Sequence, residues 1–166
     1  MHPALLPLRM FLFTVPDGLH SRVLAAVFNH TLRGQNITSR FVEIEGKTVA
    51  LHVKDVPCRF HFLFNRTGIE PDLRQRADVV IAGNLHDFMR LAWREEDPDT
   101  LFFTRQLTIE GETETGLHVK NLLDSLEFDL DVHLDTVLPQ PLAGPARKFV
   151  SLLRQYAPDL RRFSSR

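Results

Sequence analysis

Apolar and polar positions change period several times along this chain. From Leu19 to Leu32 they follow helical spacing, with Val23, Leu24, Val27 and Phe28 on one side, which predicts a helix. Gly34 follows as its C-terminal stop. The period then drops to two. Phe41–Glu45 and Thr48–Val53 alternate around Glu45-Gly46-Lys47 and predict a hairpin. Cys58–Asn65 predicts a third strand, with Cys58, Phe60, Phe62 and Phe64 on one face because side chains alternate across a strand. Arg66–Arg76, around Pro71, reads as a loop. Ala77–Gly83 reads as a fourth strand, with Val79 and Ile81 on one face.

The helical period returns after Asn84, a good N-cap with Asp87 at the third helical position. Leu85, Phe88, Met89, Ala92 and Trp93 form its apolar stripe. Asp97-Pro98 opens a short turn that carries Leu101, Phe102 and Phe103. Gln106–Glu110 predicts a fifth strand, with Leu107 and Ile109 on one face. Gly111 then leads into a helix over Thr113–Glu127, striped by Val119, Leu122, Leu123 and Leu126. Helices and strands in this order predict an α+β fold, one mostly antiparallel sheet covered by helices.

The ends differ from this middle. Residues 1–18 form an apolar, Pro-punctuated arm. Residues 19–127 make the domain, and residues 128–145 an acidic, then Pro-rich linker. Residues 146–166 carry a basic amphipathic helix, interrupted at Pro158.

Length and composition narrow the class. A chain of 166 residues supports one domain with a real core. A net charge of −1 gives no general pull toward nucleic acid. The charge is segregated, however. Glu110–Asp135 holds eight acidic residues against one Lys, and Ala143–Arg166 holds six Arg and Lys against one Asp. Thirteen Phe stand against one Trp and one Tyr, which favours apolar area without polar handles. Cys58 is alone, so a reducing compartment fits. The N-terminal arm makes a poor signal peptide, and its run Met10–Val15 is far short of the roughly 20 residues of a membrane span. A cytoplasmic protein at the membrane periphery is the expectation.

Patterns for catalysis are weak. The His residues form no metal-ligand spacing, and no G-x-S-x-G elbow occurs. Gly111 and Gly116 have phosphate-loop spacing, but Leu117-His118 stands where Lys-Ser/Thr is required. The acidic run Glu95, Glu96, Asp97 and Asp99 reads as a solvated helix end. No catalytic residue, metal site or cofactor is expected. Two features remain. One is a set of apolar side chains that could line a lipid cavity: Phe60, Phe62, Phe64, Phe88, Trp93, Leu101, Phe102, Phe103, Val119, Leu122 and Leu123. The alternative is an ordinary core. The other feature is the ends, where Leu8, Phe11 and Phe13, and Arg147, Lys148, Phe149, Arg154 and Tyr156, suit a membrane surface or a partner. The alternative is docking on the domain itself or on a second subunit in a homodimer.

Three runs carry a family resemblance. They are Asp97-Pro98-Asp99-Thr100-Leu101-Phe102-Phe103 with Arg105, then Leu107–Glu114, then Gly116–Asp124. They resemble the sterol-carrier-protein type 2 (SCP-2) lipid-binding superfamily, in particular its bacterial accessory factors of ubiquinone biosynthesis. The close resemblance covers about residues 78–127. It implies a five-stranded sheet with helices around an apolar tunnel, and a carrier rather than an enzyme. It also implies a role in the oxygen-independent route to ubiquinone, beside a UbiU–UbiV-type hydroxylase pair. The ligand would be an isoprenoid quinone intermediate or an anionic phospholipid. Two other readings stay open: an enzyme of small-molecule or quinone metabolism, and an assembly factor that uses its apolar ends.

Overall fold

The computed structural model describes residues 17–32, 41–72, 74 and 76–125. The N-terminal arm, the acidic linker and the basic C-terminal segment therefore fall largely or wholly outside the described residues. So do Leu8, Phe11, Phe13, Leu126, Arg147, Lys148, Phe149, Arg154 and Tyr156.

Helix α1 (Asp17–Leu32) leads to strand β1 (Thr48–Val53), β2 (Cys58–Asn65), β3 (Gly68–Pro71) and β4 (Val79–Gly83). Helix α2 (Leu85–Ala92), helix α3 (Pro98–Phe103), strand β5 (Thr108–Gly111) and helix α4 (Thr113–Ser125) follow. The strands form one five-stranded sheet in the order β3-β2-β1-β4-β5. Its pairs are antiparallel except β1 with β4, which run parallel. The expected α+β class, with a mostly antiparallel five-stranded sheet, is what the chain adopts.

One of those strands is not the one the pattern predicts. Phe41–Glu45 does not form a hairpin arm: residues 41–42 are helical and residues 43–46 form a turn. Phe41 and Ile44 are buried while Val42 and Glu43 are exposed, a helical spacing that five residues cannot distinguish from alternation. The missing strand lies in the segment that reads as a loop. β3 pairs with β2 through a two-residue turn at Arg66-Thr67, with Asn65 opposite Gly68 and Phe64 opposite Ile69. Pro71 is tolerated there because β3 is an edge strand.

The register makes one sheet face continuously apolar. Val49 lies opposite Phe62, Leu51 opposite Phe60, and Val53 opposite Cys58. Leu51 also lies beside Ile81, and Ile81 opposite Ile109. A one-residue slip at any of these pairs would turn that face away from the helices. Phe41, Ile44, Val49, Phe62, Phe64, Ile69, Val79, Ile81, Val119 and Leu122 belong to the main buried cluster on this side.

Local chemistry fixes the helix ends around it. The Asp55 carboxylate accepts from the Leu85 N–H at 2.8 Å, and Asp87 accepts from the Asn84 N–H at 3.3 Å, so α2 starts on two acidic caps. Asp97 caps α3 by accepting from the Thr100 N–H at 3.3 Å, with Pro98 just inside. Gly111 has φ +111°, and a Cβ there would lie 2.2 Å from the Asp78 carbonyl oxygen. Only glycine lets β5 turn into α4 at that point.

Candidate ligand cavity

The helices do not fill the space above the apolar face. A cavity of about 300 Å³ remains between them and the sheet. Its floor is Val49, Leu51, Val53, Phe60, Phe62, Phe64, Ile69 and Ile81. Leu24 and Phe28 of α1 border it, as do Leu85, Phe88, Met89, Leu91 and Ala92 of α2. Val119, Leu122 and Leu123 of α4 complete the apolar lining, and Arg94 is its one charged member among the described residues. The Phe60 and Phe62 rings stack with centroids 6.5 Å apart and planes 10° apart. Phe64 stacks on Phe41 at 5.7 Å, which holds it from behind.

The sequence-predicted lining is divided by the fold. Phe60, Phe62, Phe64, Phe88, Val119, Leu122 and Leu123 all border the cavity. Trp93, Leu101, Phe102 and Phe103 are not among its lining residues. Trp93 caps the end of α2 and packs against the small cluster of Val53, Val56, Cys58 and Leu85. Leu101 is 0% exposed within α3. Phe102 packs against the main cluster, while Phe103 is 90% exposed. Phe102 and Phe103 instead border a separate surface depression with Asp99, Thr100 and Lys120.

Several of the residues not anticipated as lining have a readable signal. Val49, Leu51 and Val53 alternate on β1 as the Phe residues do on β2. Leu24 and Phe28 lie one helical turn apart on α1. Arg94 has no such signal. It follows α2 with φ +53°, a left-handed conformation usual for glycine at that position.

Charge is concentrated away from the cavity. Asp78 accepts from the Thr48 N–H at 2.7 Å and the Thr48 hydroxyl at 2.8 Å. Those two bonds, backbone first, hold its carboxyl below the usual carboxylate range, and Lys47 adds to the effect. Glu112 is also held low, first by its hydrogen bond from Lys47 and then by one from the Thr115 hydroxyl. Three members of the acidic run after α2 are engaged locally rather than gathered, while the buried Glu95 Oε2 has no hydrogen-bond partner among the described residues. Glu96 pairs with Arg90 at 2.6 Å, Asp97 caps α3, and Asp99 pairs with Lys120. Among the described residues, no group of His, Cys, Asp and Glu could hold a metal ion, and no helix is long and apolar enough to cross a membrane.

The fold is thus a mixed five-stranded sheet whose apolar face borders a helix-covered cavity. The SCP-2 sterol transfer family model matches residues 28–124, and the chain belongs to that family. Among curated proteins it is similar to the ubiquinone biosynthesis accessory factor UbiT of Escherichia coli strain K12, with 34% identity over 114 residues. That match covers 69% of this chain and 66% of the relative. The same level of similarity holds for UbiT of Escherichia coli O157:H7. Among solved structures, the ubiquinone synthesis protein UbiJ-SCP2 aligns with a TM-score of 0.52 at 16% identity, over 64% of this chain and 94% of that one. This likeness supports the fold.

Proposed function

We propose that this protein is a non-enzymatic lipid-binding accessory factor of ubiquinone biosynthesis. It would hold an isoprenoid quinone intermediate or a phospholipid in the cavity and present it to a hydroxylase. The observation that carries the proposal is the cavity itself, whose described lining is apolar apart from Arg94. A prenyl or acyl chain gains about 0.8 kcal/mol for each methylene it buries there. A volume of about 300 Å³ sits at the small end of ligand pockets, so it suits one chain segment with its head left outside. A head outside is what an enzyme working on a ring would need. The similarity to UbiT supports ubiquinone biosynthesis as the pathway. The oxygen-independent branch, a UbiU–UbiV-type partner and peripheral membrane association extend the same proposal.

Lipid extraction and mass spectrometry of the purified full chain test it. Co-purified isoprenoid quinone intermediates or phospholipid, in about one copy per chain, are the expected result. A lipid-free preparation that takes up neither on incubation would overturn it.

A further inference from the structure

Arg94 is the one described lining residue with a charge, and it stands in a left-handed backbone conformation. Its φ of +53° puts it in the left-handed region just past the end of α2. Glycine is the usual residue there because a Cβ is disfavoured. Arg105 has the same conformation, φ +59°, just past α3, but does not border the cavity.

Among the described residues, the Arg94 guanidinium is also under-used. Both its terminal nitrogens donate to the Asp124 carbonyl oxygen at 3.4 Å, longer than a good N–H···O bond. A guanidinium has five N–H donors, and among the described residues no carboxylate pairs with this one. Arg90, on the preceding turn, shows the contrast. It is bound at 2.6 Å to both Gln106 and Glu96.

The geometry points to Arg94 as the residue that selects the ligand's head: an oxyanion at the cavity mouth, carboxylate or phosphate, received by its open donors while the chain lies along Phe60 and Leu123. This deepens the carrier reading proposed above and rests on it. An exposed guanidinium at the mouth of an apolar cavity favours an amphiphile whose acidic end stays in water.

The test uses the full chain loaded with the neutral dye Nile red. Three chain-matched competitors displace it: palmitate, monohexadecyl phosphate and cetyl alcohol. The wild type is expected to prefer at least one of the two acids over the alcohol by about tenfold. Whichever acid wins names the head as carboxylate or phosphate. In Arg94→Gly the preference falls to about onefold, because the acid loses its donor while any change in the lining weakens acid and alcohol alike. Arg94→Lys retains part of the preference. Arg105→Gly, which relieves the same strain away from the cavity, retains all of it. Equal affinity for acid and alcohol in the wild type overturns the assignment alone. So does an equal loss of preference in the Arg94 and Arg105 variants, or displacement of the dye by inorganic phosphate alone. No displacement by any amphiphile removes the carrier reading, and this assignment with it.

Discussion

Two fully or largely buried residues can look alike in sequence and differ in what they touch. Ile81 and Leu101 are both about 1% exposed or less, yet Ile81 borders the cavity and Leu101 does not. The Phe face of β2 was legible because three Phe at period two require a large apolar neighbour. Whether that neighbour closes the gap was not legible, since a cavity is a lack of contact and no residue type encodes it. Leu51 separates the cases. It is half-buried, central on β1, and borders the cavity beside Phe60. In a filled core, an enlarging change costs about 1–3 kcal/mol. In an open cavity the added ring has somewhere to go. Leu51→Phe is therefore expected to change unfolding free energy in urea by less than about 1 kcal/mol. The same variant should lose most of its Nile red uptake, because ring and ligand compete for one volume. A strongly destabilised variant with normal uptake would place Leu51 in packed core.

At the scale of elements, the sheet and three of the helices were legible, and the failures were short segments. Five residues at Phe41–Glu45 fit two periods. Four residues at Gly68–Pro71 end in a proline that reads as a loop, and their strand character comes from partners on both sides. β2 provides one. On the other side, the Asn29 side chain of α1 accepts from the Ile69 N–H at 2.8 Å and donates to the Ile69 carbonyl at 2.7 Å. One amide side chain thus imitates a neighbouring strand and covers an edge open to mispairing. Asn29→Ala leaves two half-buried backbone groups unmatched, so unfolding free energy should drop by about 1–3 kcal/mol. A Cβ on Gly68 would lie 2.2 Å from the Asn29 oxygen. Gly68→Ala should thus cost less in the Asn29→Ala background than in the wild type, and additive costs in a double-mutant cycle would refute the contact.

Another element-scale contact links β1 to the chain entering β4, the one parallel pair. Thr48 and Asp78 exchange bonds in both directions: Asp78 accepts from Thr48, and the Asp78 N–H donates to the Thr48 carbonyl at 2.9 Å. The Asp78 carboxyl is lowered in the folded state. Its stabilisation is therefore complete above the ordinary carboxylate range and is lost as pH falls through the folded value. Glu112 acts in the same direction. Urea midpoints measured across the acid range should fall less steeply in Asp78→Asn than in the wild type. An unchanged slope would show that Asp78 is not the group titrating.

At the scale of the whole chain, the carrier reading proposed above raises the question of how a ligand reaches the cavity. On that reading the ligand would come from a membrane, and the described residues contain no helix long and apolar enough to cross one. The family match ends at residue 124, and the basic stretch lies beyond it. Ala143–Arg166 carries six Arg and Lys against one Asp, interleaved with Phe149, Leu152, Tyr156 and Phe163. Each such charge near an anionic leaflet contributes on the order of 1 kcal/mol, and the attraction weakens with salt. Binding and delivery should therefore separate by region. Changing Arg147, Lys148 and Arg154 to Glu should abolish flotation of the full chain with anionic phospholipid vesicles, and leave Nile red uptake at the wild-type level. Wild-type flotation should decline as salt rises from low to physiological strength. Flotation that survives both the charge reversal and high salt would assign membrane contact to apolar residues, such as Leu8, Phe11 and Phe13 of the N-terminal arm. Loss of dye uptake in the same variant would mean that the basic segment closes the cavity rather than delivering its contents.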